Sequence, residues 1–177
     1  MQAVKVSKRQ KQNAGKELLK GLKEMGRSAL TGKSFFCFIF RNDKILLKKA
    51  DNFWIVPSDD IADGESPEHA AAAKTYEQTG LVVNSLEPLG DVLMAYEKSG
   101  ENNRHVFVFV SQDFSGELKD ERQVSWFEKG ALPDELPECY KVLLPIVASR
   151  KRFTGELYLD SGHSGIGKVL KYSIKEV

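Results

Sequence analysis

The chain has few cysteines, and this scarcity narrows the class of protein. Cys37 and Cys139 are the two cysteines among 177 residues. They are too few for the disulfide framework of a small secreted domain, and their separation does not fit a zinc knuckle. We therefore expect both thiols to be reduced and to lie in the core.

Long apolar runs are also missing. No stretch of the sequence approaches the roughly 20 apolar residues that span a bilayer. The N-terminus has the positive charges of a signal peptide without its apolar centre. The sequence therefore predicts a cytoplasmic protein with no transmembrane segment.

Several common catalytic motifs do not occur. The three histidines are scattered, and none has a second His or Cys at the spacing of a zinc site. No Gly-x-Ser-x-Gly elbow marks a nucleophilic serine. The stretch "GHSGIGK", residues 162–168, has the glycine and lysine spacing of a phosphate-binding loop, but Val169 stands where that loop needs Ser or Thr. We interpret this stretch as a turn.

Charge is present but unevenly placed. Residues 1–33 carry nine Lys or Arg against Glu17 and Glu24, a net charge of +7, which leaves −6 for residues 34–177 of a chain with net charge +1. Apolar residues of this basic arm recur at helical spacing: Leu18, Leu22, Met25 and Ala29. The pattern predicts an amphipathic basic helix, although three glycines weaken it. It could dock on its own domain, remain a solvated arm, or bind a nucleic acid, an anionic surface or a partner.

From residue 34 the sequence alternates strand-like runs and turns. "SFFCFIF" and "ILLKKA" are joined by "RNDK", which predicts a hairpin, and "FWIVP" predicts a short third strand. "VNSLEPLGDVLMAYEK" and "RHVFVFVSQDF" predict a long hairpin, "QVSWFEKGAL" a further strand, and "LPDELPECYKVLLPIVASRKR" a helix kinked or shortened by Pro145. We expect a basic arm over residues 1–33, an α+β domain over 34–150 and an extension over 151–177. The extension is either two strands around a Gly/Ser loop or an extended tail.

The stretch "DDIADGESPEHAAAAKTYEQTGL", residues 59–81, predicts an acidic loop followed by a helix. We call residues 59–65 the acidic loop. Ser66 is a candidate N-cap, and Pro67 suits the first turn, so the helix should begin there. Gly80 offers the left-handed residue that ends such a helix, which predicts a helix over about residues 67 to 79.

This stretch resembles the signature of the Nudix hydrolase family, which is Gly, five residues, Glu, seven residues, then Arg-Glu-aliphatic-x-Glu-Glu-x-Gly-aliphatic. The spacing matches without a gap. The signature positions fall on Asp59, Glu65, Ala73, Lys74, Thr75, Glu77, Gln78, Gly80 and Leu81. Four of these keep the family residue: Glu65, Glu77, Gly80 and Leu81. "FWIVPSD" and "VSWFEKGALPDELP" resemble further segments of the family, so the resemblance covers roughly residues 34 to 150. It implies a Nudix-like α/β/α sandwich around a mixed sheet.

The resemblance also implies a chemistry. In this family the helix presents carboxylates that bind divalent cations, usually magnesium, against the diphosphate of a nucleoside diphosphate linked to another group. Here the corresponding helical face carries Lys74, Glu77 and Gln78, so its charge changes from −3 in the family pattern to 0. Ala73 also removes the Arg that would pair with Glu65. The box is therefore degenerate at Ala73, Lys74 and Gln78.

The residues that remain define the candidate site. Glu77 and Glu65 are the candidate catalytic residues, and Glu77, Glu65 and Asp63 are the candidate ligands for Mg²⁺ or Mn²⁺ if the site is active. Trp54, Phe53 and Lys74 are candidates for substrate binding; Trp54, Phe53 and Tyr96 could stack on a base, although aromatic residues on strands more often belong to the core.

Two functional hypotheses follow from this site. In the first, weak or absent hydrolase activity leaves a module that binds a nucleotide, a nucleoside diphosphate derivative or a partner. In the second, the chain is an active metal-dependent pyrophosphohydrolase with a rearranged metal site built from Glu77, Glu65 and the loop aspartates. Whether the chain is an enzyme stays open between them. The resemblance also implies a possible homodimer.

Overall fold

The computed structural model describes residues 30–97, 103–160 and 166–177 of the chain. The predicted helix of the basic arm lies outside these residues, as does the beginning of the "GHSGIGK" stretch. Two helices and the strands of one sheet form within the described ranges. In chain order they are β1 (Gly32–Arg41), β2 (Lys44–Ala50), β3 (Phe53–Ile55), β4 (Ser58–Ile61), α1 (Pro67–Thr79), β5 (Leu81–Tyr96), β6 (Arg104–Gly116), β7 (Val124–Glu128), α2 (Glu138–Ala148), β8 (Phe153–Leu159) and β9 (Val169–Glu176).

The strands form a mixed sheet in the order β3-β2-β1-β6-β5-β8-β9, with β4 beside β1 and β7 beside β2. β1 pairs in parallel with β6, and β5 pairs in parallel with β8, whereas the other pairs are antiparallel. The predicted β1–β2 hairpin is confirmed, and Asn42 in its turn has a positive φ of 52°. The predicted long hairpin is confirmed as β5 and β6.

Each face of the sheet carries a hydrophobic layer because successive residues of a strand point to opposite sides. On β1, Phe36 and Phe38 belong to the core cluster beneath α2, whereas Phe35 and Cys37 belong to the cluster beneath α1. Leu143 and Val147 of α2 are fully buried in the first cluster. Ala70 and Ala71 of α1 are fully buried in the second. The predicted α/β/α sandwich is confirmed.

The C-terminal residues complete the sheet. β8 pairs with β5 and β9 pairs with β8, which resolves the choice between two strands and an extended tail in favour of strands. Phe153 and Leu157 of β8 are buried in the cluster beneath α2. Strand β4, which the sequence did not predict, follows Pro57 and pairs with the start of β1. No helix in the described ranges is long and apolar enough to cross a bilayer.

Candidate active site

Helix α1 begins and ends at the capping residues that its sequence predicts. The Ser66 hydroxyl accepts a hydrogen bond from the His69 amide at 3.1 Å, and Pro67 occupies the first turn. At the other end Gly80 has φ of 85°, and its amide donates to the Tyr76 carbonyl at 2.8 Å. The predicted helix over residues 67 to 79 is therefore confirmed. The acidic loop lies directly before it: residues 59–61 belong to β4, and residues 62–65 lead from β4 toward α1.

The buried face of α1 is built from small residues. Ala70, Ala71, Thr75 and Thr79 are fully buried against the sheet. The Thr79 hydroxyl donates to the Thr75 carbonyl at 2.7 Å, so this polar atom is satisfied inside the layer. Lys74, Glu77 and Gln78 lie on the rest of the helix, where they face the acidic loop or solvent.

Lys74 forms an ion pair with the carboxylate that the family pattern retains. Its ammonium Nζ lies 2.9 Å from Oε2 of Glu77, and the two side chains are 38% and 64% exposed. The hydrogen bond to Glu77 and the charge of Glu77 raise the pKa of Lys74, with smaller contributions from Asp59 and Glu65. Lys74 is thus a protonated ammonium in contact with the Glu77 carboxylate.

Gln78 binds the main chain of β4 through both ends of its amide. Its Nε2 donates to the Ser58 carbonyl at 2.9 Å, and its Oε1 accepts from the Ser58 amide at 3.2 Å. The same Nε2 lies 3.4 Å from Oδ2 of Asp59. The Gln78 amide therefore links Ser58 of β4 to α1.

Glu65 and Asp60 also have partners from this chain. Glu65 accepts from the Ala62 amide at 3.4 Å and contacts Nδ1 of His69 at 3.2 Å. Asp60 pairs with Nε of Arg104 at 3.2 Å. Asp63 is exposed. Among the residues that the structure describes, no group of three His, Cys, Asp or Glu side chains is arranged to hold a metal ion.

Lys48 is a site residue that sequence reasoning missed. It lies half-buried on β2, and burial lowers its pKa while the charge of Asp59 opposes that shift. The charge of Asp59 therefore acts on Lys48 as well as on Lys74. The sequence could not indicate this residue, because no spacing links a lysine in the strand "ILLKKA" to residue 59. Ser58 was missed for the same reason.

Trp54 and Tyr96, two of the aromatic residues considered for substrate binding, lie in another layer. Trp54 packs against the cluster beneath α2, with its ring centroid 4.8 Å from that of Phe127 and Lys49 Nζ 5.4 Å above it. Tyr96 is buried in the same cluster, and Phe53 is half-buried at the edge of the sheet. The structure therefore places Trp54 and Lys74 in layers on different faces of the sheet.

Comparison with known proteins decides the family. The family model described as the NUDIX domain matches residues 30–145. The chain belongs to the Nudix family.

Relatives of this Nudix chain agree with its fold. An oxidized purine nucleoside triphosphate hydrolase of Danio rerio is 29% identical over 110 residues, which cover 60% of this chain and 69% of that protein. A MutT protein of Bacillus halodurans has a TM-score of 0.68 at 19% identity, over 81% of this chain and 97% of its own. A MutT Nudix hydrolase of Burkholderia pseudomallei has a TM-score of 0.57 at 21% identity, over 66% of this chain and 97% of its own. At these identities the solved structures establish the fold alone.

The Nudix family typically uses a divalent metal, so the donor set of this chain can be tested against one. A hard dication needs several oxygen ligands that are free to bind it. Here the Lys74 ammonium contacts Glu77, and the Gln78 amide nitrogen contacts Ser58 and Asp59. Both nitrogen atoms are donors and cannot ligate a cation. The residues present therefore do not fit a divalent ion in the described arrangement.

Proposed function

We propose that this Nudix chain is a binding module with weak or absent metal-dependent hydrolase activity. Its ligand is a nucleotide, a nucleoside diphosphate derivative or a partner that presents such a group. The observation that carries the proposal is the 2.9 Å contact between Lys74 Nζ and Glu77. The Lys74 ammonium repels a dication. It also occupies the Glu77 carboxylate, which the family keeps as a ligand for the metal.

A screen for hydrolysis tests this proposal. Purified chain is incubated with nucleoside diphosphate derivatives and with nucleoside triphosphates, including the oxidized purine forms acted on by the Danio rerio relative, in Mg²⁺ and in Mn²⁺. We expect binding by calorimetry without turnover. Turnover at the ordinary rate of a Nudix enzyme, abolished by Glu77→Gln, would contradict the proposal.

The triple variant Ala73→Arg, Lys74→Glu, Gln78→Glu is the informative companion in the same screen. It restores three of the five replaced residues of the Nudix signature on an otherwise unchanged fold. Hydrolysis by the triple variant alone would support a competent scaffold whose natural box is disabled. Equal turnover by the wild-type chain and the variant would count against the proposal.

The second candidate function is an active pyrophosphohydrolase with a rearranged metal site. The observation in its favour is the exposed Asp63 beside Glu65, in a loop whose acidic side chains lie at the surface. Asp63, Glu65 and Glu77 would then be the ligands for Mg²⁺ or Mn²⁺. Saturable binding of either ion at millimolar concentration is expected by calorimetry, and absence of heat under those conditions would rule the candidate out.

The remaining expectations are proposals that concern partners. Binding of nucleic acid or an anionic surface by residues 1–33 should disappear when they are deleted, and its affinity should fall steeply with salt. A homodimer and a cytoplasmic location stay predictions from the sequence.

A further inference from the structure

A surface pocket lies at the β1–β2 turn, away from the acidic loop. Its volume is about 360 Å³, which is within the range of small-molecule sites. The end of β1, the turn, the start of β2 and the end of β7 line it, through Arg41, Asn42, Asp43, Lys44, Trp126 and Glu128. On β1, Phe36 pairs with Ser58 of β4, whereas Arg41 lies at the far end of the strand, about 16 Å away. We call this cavity the turn pocket.

The Arg41 guanidinium lies over two aromatic rings. Its Cζ is 4.4 Å from the ring centroid of Trp126 and 5.2 Å from that of Phe114. The two rings are stacked, with centroids 5.4 Å apart and an interplanar angle of 28°, and both pack against the cluster beneath α1. Contact with a ring face positions a guanidinium without using its N–H donors. Arg41 is therefore held in place with its donors still available.

The other charged groups around the turn pocket pair with each other. Lys44 Nζ lies 3.4 Å from the Glu128 carboxylate, and Lys129 Nζ lies 3.5 Å from the Asp43 carboxylate. Among the residues that the structure describes, none forms an ion pair or a hydrogen bond with the Arg41 guanidinium. The turn pocket therefore contains one positive charge that no carboxylate in the described part of the chain balances.

This arrangement matches the chemistry of an oxyanion. A carboxylate or a phosphate presents two oxygen atoms that accept from two parallel N–H groups of one guanidinium. Because the rings already hold Arg41, binding would cost less side-chain entropy than it would for a freely rotating arginine. The lysine partners of Asp43 and Glu128 also offset the charges of the two carboxylates that would otherwise repel such a ligand.

We propose that the turn pocket binds one oxyanion group, the carboxylate or phosphate of a small molecule, through the Arg41 guanidinium. The site is additional to the proposed function, because it uses no residue of α1 or of the acidic loop. Trp126 forms an apolar wall beside the bound group, so a ligand with a flat apolar part next to its oxyanion should fit best.

NMR titration of the full chain tests this inference. The chain has two tryptophans, and they pack on different faces of the sheet, Trp126 beneath α1 and Trp54 beneath α2. The Trp54→Phe variant identifies which indole N–H signal belongs to Trp126. We expect that signal to shift saturably with millimolar phenyl phosphate, with benzoate, or with both, at constant ionic strength. A response to one probe alone identifies phosphate or carboxylate as the preferred group.

Phenol is the neutral control for these probes, because it has the ring without the oxyanion. It should leave the Trp126 signal in place. A Trp126 signal that does not shift with either anion, or that shifts as much with phenol, would overturn the inference. The titration needs no metal and no turnover, so its outcome is independent of the hydrolysis screen.

Arg41→Lys tests the role of the guanidinium. It keeps the positive charge and removes the planar pair of donors, so the dissociation constant of the responding probe should rise about tenfold. Arg122→Lys is the matched control, since Arg122 pairs with Asp120 at 3.4 Å and its side chain is 91% exposed. Its dissociation constant should equal that of the wild type. An unchanged constant in Arg41→Lys would also overturn the inference, and the wild-type titration remains decisive if that variant folds poorly.

Discussion

Gln78 has an amide group where a glutamate has a carboxylate, and that difference decides which atoms it can hydrogen-bond. A carboxylate can accept from the Ser58 amide, but it cannot donate to the Ser58 carbonyl as Nε2 does at 2.9 Å. Restoring the Nudix glutamate at this position would therefore place like charges and unpaired acceptors together. The Gln78 amide thus matches the donor and the acceptor of the Ser58 main chain.

We predict that Gln78→Glu destabilises the chain in the absence of metal. The Ser58 carbonyl loses its side-chain donor, and a new negative charge lies beside Asp59, so the free energy of unfolding should fall by about 1–2 kcal/mol. Denaturant unfolding in EDTA measures the change. Gln112→Glu is the control, since Gln112 is exposed on β6. Equal losses in the two variants would contradict the assigned role of Gln78.

Part of this site could be predicted at the residue scale, and part could not. Lys74 and Glu77 are three residues apart on a helix, so their contact follows from helical geometry. Gln78 and Ser58 are 20 residues apart, and their contact depends on how β4 is placed against α1. The charge of Asp59 acts on Lys48 only because their strands belong to one sheet. Sequence spacing therefore predicts the ion pair on the helix but not the contacts between elements.

At the scale of one element, α1 owes its sharp end to Gly80. A Cβ on Gly80 would lie 2.4 Å from the Glu117 carbonyl oxygen, and its φ of 85° is unfavourable for other residues. Gly64, in the acidic loop, has a similar φ of 81°, but a Cβ there would meet nothing within 4 Å. The two glycines share the backbone conformation and differ in the space around them.

We predict that Gly80→Ala destabilises the chain more than Gly64→Ala does. Both variants bear the strain of a positive φ, about 1 kcal/mol, whereas Gly80→Ala must also displace the β6–β7 connection. The difference between the two free energies of unfolding therefore isolates the steric contact. If Gly64→Ala lowers the free energy of unfolding as much as Gly80→Ala does, backbone conformation accounts for the whole effect and the prediction is wrong.

The boundaries of α1 could be predicted from sequence, whereas β4 could not. Ser66, Pro67 and Gly80 are local signals whose effect does not depend on the rest of the fold. The residues of β4, "SDDI", have little strand propensity, and they form a strand because β1 offers an unpaired edge to them. The acidic loop owes its position to that strand.

At the scale of the whole molecule, burial of thiol and phenol groups makes the free energy of unfolding depend on pH. Burial raises the pKa of Cys37 and of Cys139 from 9.0 to about 12, and that of Tyr96 from 10.0 to about 12. Each group therefore loses its proton more readily in the unfolded chain. The stability that depends on these protons is complete below the unfolded pKa values and decreases as pH rises toward the folded ones.

We predict that the free energy of unfolding falls steadily between about pH 9 and 12. Denaturant unfolding at a series of pH values measures the slope. Thiol reagents should leave both cysteines unmodified in the folded chain at neutral pH, because the two side chains are 0% and 1% exposed. Rapid labelling of the folded chain at neutral pH would show that the assigned burial is wrong.

The match to the Nudix model ends at residue 145, but the sheet does not. β8 lies beyond that boundary and pairs with residues 90–96 of β5, on the side opposite β6. The parallel partners β1 and β6 are likewise far apart in sequence. A chain emerging from the ribosome therefore exposes one edge of β5 until residues 153–159 have been made. The packing of that edge must wait for those residues, which leaves the nascent chain open until then to strand pairing with its neighbours.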